Sequence, residues 1–92
     1  MLKNPYHPGE YLKEILTELN ISAASLAQAT HMPVSRVRRI LKGKQRITPD
    51  TALRLAKYFG TTPDYWLGLQ ISHDLAKCQT QDLDTIKPLV PA

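Results

Sequence analysis

The chain has 92 residues, of which twelve are Lys or Arg and eight Asp or Glu, giving a formal charge of +4 and a pI near 9.4. That length makes one domain able to bury roughly 60 to 70% of its unfolded surface, so neither a disulfide nor a metal is needed, and the lone Cys78 completes neither. No apolar run approaches the ~18 residues of a membrane span, the first five residues lack a signal-peptide core, and a cytoplasmic location is expected.

The pattern predicts five helices and no strand. Helix one runs from Pro8, suited to a first turn, to Leu19, with Asn20 as a left-handed stop. Its apolar stripe is Tyr11, Leu12, Ile15, Leu16 and Leu19; Glu10, Lys13, Glu14 and Glu18 lie outside. Ser22 caps helix two, which extends to about Thr30. His31 takes the turn, and Pro33 opens helix three, which ends at Gly43. Thr48-Pro49-Asp50 combines a side-chain cap, a proline that needs no donor and an acid at the positive end of a helix dipole. Helix four therefore starts there, burying Ala52, Leu53, Leu55, Ala56 and Phe59 before Gly60. The same signal at Thr62-Pro63-Asp64 starts helix five, expected to reach about Cys78 as a partly buried residue. Residues 1–80 form the expected domain, with a helix-turn-helix over about 22–42. Residues 81–92 form a tail in which Ile86, Leu89 and Val90 stand between prolines, either extended against a surface or disordered.

Arg36, Arg38, Arg39, Lys42, Lys44 and Arg46 place half of the basic side chains in eleven residues that contain no acid. Such a run is commonly just a solvated face. Here the apolar pattern gives it a geometry: Leu26, Ala27, Thr30, Met32, Val37, Ile40 and Leu41 turn inward, while Val34, Ser35, Arg38, Arg39 and Lys42 are left outward. Two short helices at a steep angle, the second bearing arginines, match the shape of a DNA major groove. The histidines His7, His31 and His73 fall in three separate elements, and the chain has no phosphate loop, nucleophile elbow or paired metal ligands. Neither an enzyme nor a metal or cofactor site is expected.

Leu26-Ala27 through Val37-Ile40-Leu41-Lys42-Gly43-Lys44, then Ile47-Thr48-Pro49-Asp50, resembles the Xre and lambda-repressor type of five-helix, all-α DNA-binding domain. His7-Pro8-Gly9-Glu10, Gly43-Lys44-Gln45-Arg46-Ile47-Thr48, and Asp64-Tyr65-Trp66-Leu67-Gly68-Leu69-Gln70 with His73-Asp74-Leu75 resemble more narrowly the HigA group of antitoxins, which includes proteins labelled virulence-associated protein I. The resemblance covers nearly residues 7 to 76. It implies a homodimer that binds its own operator and neutralises a HigB-type toxin, a messenger RNA endonuclease. His31 departs from the glycine usual at that turn, so it must accept a positive φ or the turn must differ.

Matched by position to related repressors, the base-reading face is Val34, Ser35 and Arg39, with Arg39 suited to a guanine edge and Val34 to a thymine methyl. Ser22, Arg36, Arg38, Lys42, Lys44 and Arg46 are the expected phosphate contacts. Neutralising about five phosphates per protomer puts a dimer's log–log salt slope near about −9. Two modules about 34 Å apart are needed for useful specificity, and helix five supplies the candidate pairing surface through Tyr65, Trp66, Leu69 and Leu75. The alternative is that Trp66 and Leu69 cap the monomer core against helices one and four. A toxin could be gripped by the Glu10, Glu14 and Glu18 stripe or by the tail. A stand-alone repressor without a toxin, and an interaction module without DNA binding, stay open.

Overall fold

The computed structural model describes residues 6–90. The expectations for the first five residues and for the last two of the tail lie outside it. Five α-helices follow in order: α1 Pro8–Leu19, α2 Ala23–Thr30, α3 Val34–Leu41, α4 Pro49–Phe59 and α5 Pro63–Lys77, then a single 3-10 turn, Leu83–Thr85.

The start signals work by the chemistry that predicts them. Ser22, Thr48 and Thr62 each accept a hydrogen bond from the backbone N–H three residues on, at 3.0, 3.4 and 3.3 Å, which satisfies a donor the first turn leaves open. Prolines occupy the first position of α1, α4 and α5. Pro33 differs slightly from expectation: it stands just before α3 as an extended cap residue, with no side-chain cap bond. Asn20, His31 and Gly60 end α1, α2 and α4 in the left-handed region. His31, at φ 58° and ψ 39°, therefore adopts the conformation usually left to glycine.

One core joins all five helices: Leu12 and Leu16 from α1, Leu26 and Ala27 from α2, Val37 and Ile40 from α3, Ala52, Leu55 and Ala56 from α4, and Trp66 from α5, with Met32 and Ile47 from the connections. Trp66 is wholly buried, and its Nε1–H donates to Thr61 Oγ1 at 2.9 Å, so the polar end of the indole is satisfied. Its place on the expected pairing surface is thereby corrected: the side chain is core. Two leucines expected inside are outside. Leu53 is exposed because it lies more than 100° around α4 from the face centred on Leu55, Ala52 and Ala56. Leu19 is exposed at the last residue of α1, where the stripe outruns its neighbours. Cys78, expected to be partly buried, is exposed just past α5, beside Thr80.

Gly9 sets the distance between α1 and α3. It is buried against α3, and a Cβ there would collide with the carbonyl oxygen of Ile40. After α5 every described residue is exposed. The radius of gyration of 16.1 Å, against about 12 Å for a compact chain of this length, fits a tail that leaves the helical body.

Candidate nucleic-acid interface

The second helix of the α2–turn–α3 pair divides cleanly. Val37 and Ile40 face inward at 0 and 1% exposure, while Ser35, Arg38 and Arg39 are exposed. Lys42 and Lys44 continue the exposed cationic face past Leu41, where Gly43 turns the chain at φ 72°. Val34 is only half outward, since part of it packs on the core. Among the described residues, Arg38, Arg39, Lys42 and Lys44 form no salt bridge, so their charge is available to an anion.

Arg36 and Arg46 differ from that expectation. Arg36 Nη1 donates to Asp50 Oδ2 at 2.7 Å, and Arg46 Nη2 pairs with Asp74 Oδ2 at 2.9 Å. Both are already partnered by carboxylates of the same chain. Ser22 is similarly engaged: its Oγ accepts the cap bond from the Ser25 N–H and donates to Ser25 Oγ at 3.0 Å. What α2 offers an anion is the positive end of the helix itself rather than that hydroxyl.

The two acids belong to networks that the sequence reading missed. Arg54 on α4 donates through Nε to Asp50 Oδ2 at 3.0 Å and through Nη1 to the carbonyls of Thr30 and His31 at 3.1 and 3.3 Å. Those carbonyls are among the acceptors that the end of α2 leaves without helical partners. Hydrogen bonds from Arg54 and then Arg36 hold the Asp50 carboxyl below the usual carboxylate range. On α5, buried Gln70 accepts from the Ile47 N–H at 2.7 Å and donates to Asp74 at 3.0 Å. Burial pushes the Asp74 carboxyl up, but bonds from Gln70 and Arg46 bring it below its ordinary value overall. The spacing of Asp50 with Arg54, and of Gln70 with Asp74, is i to i+4 and was a legible signal for each pair.

Two of the three histidines, expected apart, meet. The rings of His7 and His73 pack edge to face with centroids 5.1 Å apart. His7 Nδ1 accepts the Gly9 N–H at 2.9 Å, which requires an unprotonated nitrogen. Partial burial, and then the neighbouring His73, lower the His7 pKa. The described residues contain no group of three or more His, Cys, Asp or Glu able to hold a metal, and none of their helices is long and apolar enough to cross a membrane.

On α5, the expected pairing residues separate. Tyr65 and Leu75 are 46 and 71% exposed, Leu69 packs partly on the core, and Trp66 is inside. Ile71, which the sequence reading left out, is 55% exposed on the same helix.

Two short helices joined by a tight turn, the second leading into exposed cations that form no salt bridge among the described residues, make a helix-turn-helix unit. The helix-turn-helix family model matches residues 12–66. Virulence-associated protein I of Dichelobacter nodosus is 43% identical over 92% of this chain and 79% of its own. A HigA-family addiction module antidote protein from Coxiella burnetii shares 53% identity and a TM-score of 0.78, covering 79% of this chain and 80% of that one. The Pseudomonas aeruginosa antitoxin HigA, solved with the higBA promoter, is 37% identical with a TM-score of 0.81, over 95% of this chain and all of that one. The chain belongs to the helix-turn-helix family, in the group of virulence-associated protein I and the HigA antitoxins, which are DNA-binding proteins and not enzymes.

Proposed function

We propose that this chain is the antitoxin of a type II toxin–antitoxin module: a cytoplasmic homodimer that binds operator DNA through α3, represses its own operon and neutralises a HigB-type messenger RNA endonuclease. The observation that carries the DNA reading is the exposed set Arg38, Arg39, Lys42 and Lys44 on and after α3, which forms no salt bridge among the described residues. The promoter complex of the Pseudomonas HigA supports it. In this reading residues 1–80 are the DNA-binding domain and 81–92 a tail.

Ser35 and Arg39 read base edges, with Val34 presenting its exposed part to a thymine methyl. Arg38, Lys42 and Lys44 hold phosphates, helped by the amides at the start of α2. Arg36 and Arg46 stay with Asp50 and Asp74. Three phosphate cations per protomer put the dimer's log–log salt slope near about −5, well short of the value expected from all the basic residues. Pairing through the exposed Tyr65, Ile71 and Leu75 supplies the second module. Toxin binding is assigned to either the exposed Glu10, Glu14 and Glu18 or the apolar tail.

Binding of purified protein to its upstream promoter and to scrambled DNA, with and without the co-expressed product of the adjacent gene, tests the whole reading. Arg39→Ala is expected to cost about 1 to 3 kcal/mol on the promoter alone, whereas Lys44→Ala weakens both DNAs alike and flattens the salt slope. Equal losses on both DNAs for both variants would overturn the division of roles. Promoter binding without a stable partner complex would leave a stand-alone repressor.

A further inference from the structure

The recognition helix α3 is short, eight residues, and its first turn has no side-chain cap. Apolar packing through Val37 and Ile40 fixes its depth, but two anchors one turn apart constrain its rotation and tilt only weakly. The polar contacts around its start complete the restraint. Arg54 bridges the last carbonyl of α2 and that of the turn residue His31 to Asp50; Asp50 in turn takes the guanidinium of Arg36, in the first turn of α3. A single carboxylate oxygen, Oδ2, joins both arginines. Three elements are thus tied at one point: the end of α2, the start of α3 and the first turn of α4.

We propose that Asp50 and Arg54 are positioning residues for DNA readout: through Arg36 they set the angle at which α3 presents Val34, Ser35 and Arg39, and so determine sequence specificity without touching a base. The inference rests on the reading of α3 as the recognition helix. It gives Arg36 a function other than phosphate contact. It also accounts for an acid beside a face that otherwise favours anions, where a bare charge count predicts only a loss of affinity.

Opposite signs on two DNAs separate this role from a merely structural one. Asp50→Asn removes a negative charge, which favours any polyanion, while keeping a residue of similar shape near the start of α4. Expected is a rise of about two- to threefold in affinity for scrambled DNA and a fall of at least about tenfold for the promoter, with only a small fall in the thermal midpoint. Arg54→Lys keeps the charge but loses the planar fork that reaches two carbonyls and a carboxylate at once. It is expected to lose the same promoter preference with scrambled binding unchanged. In the DNA-free protein, hydrogen exchange at the α3 and Thr30–His31 amides should accelerate about tenfold in both variants, while α1 and α5 amides keep their protection. Promoter preference retained in Asp50→Asn, or α3 exchange unchanged, overturns the positioning role. A wild type without promoter preference instead removes the recognition-helix reading, and the exchange measurement still decides the tether.

Discussion

Helices α3 and α5 show two ways of leaving a helix unfinished. In α3 the inward residues are fully buried, and everything else on it is polar, cationic or, as with Val34 and Leu41, half covered. In α5, nearly twice as long, only Trp66 and Gln70 are buried, and Tyr65, Ile71 and Leu75 remain apolar on the outside. An outward face of unpaired cations is complete only with an anion beside it, whereas an outward face of large apolar groups is complete only with another apolar surface. On the function proposed above, nucleic acid completes the first face and a protein surface the second.

The largest expected effect probes the two sides of α5. Trp66→Ala should destabilise the fold by about 4 kcal/mol in urea titration, because it removes a buried indole from the common core. Leu75→Ala should change that monomer stability by less than about 0.5 kcal/mol yet shift sedimentation toward a monomer; a stability loss comparable to that of Trp66→Ala would erase the distinction. Gly9→Ala comes next, at about 3 kcal/mol, since the new methyl must displace the Ile40 carbonyl and with it α3. A Gly9→Ala protein of wild-type stability would mean that α1 and α3 slide freely. Gln70→Leu, at about 2 kcal/mol, leaves the Ile47 N–H buried without its acceptor, and should loosen Arg46 as well.

The smallest effect depends on pH. The His7 pKa is lower in the folded chain than in the unfolded one, so the unfolded state binds the proton first. Its stabilising contribution is complete above the ordinary histidine value and is lost as pH falls through that range. As pH falls through and below the ordinary histidine range the fold should lose stability, as Nδ1 stops accepting from Gly9 and His73 gains a charged neighbour. His7→Asn, a cap that does not titrate, should flatten the profile in thermal melts. Asp50 and Asp74, both lowered, keep their contribution until the pH reaches the carboxylate range.

The helix order and the core were legible because their signals are local. Thr-Pro-Asp twice announces a helix start, and Leu12, Leu16, Val37 and Ile40 lie on stripes that the chain itself spaces. Leu53 misled because a neighbouring leucine on an apolar helix looks inward until the packed face is known. Arg36 and Arg46, expected on phosphates, pair with carboxylates 14 and 28 positions away, beyond any periodicity. His7 and His73 meet for the same reason: α1 and α5 pack together, a fact of the tertiary fold alone.

His7 lies so close to Gly43 that a Cβ added to the glycine would reach van der Waals distance of the His7 side chain, which places the beginning of the body beside the exit of α3, next to Lys42 and Lys44. A peptide joined close ahead of His7 would be held at high local concentration near those lysines. An acidic purification tag at the front would act as a tethered competitor of DNA. The same tag behind the projecting tail would leave the cationic face open.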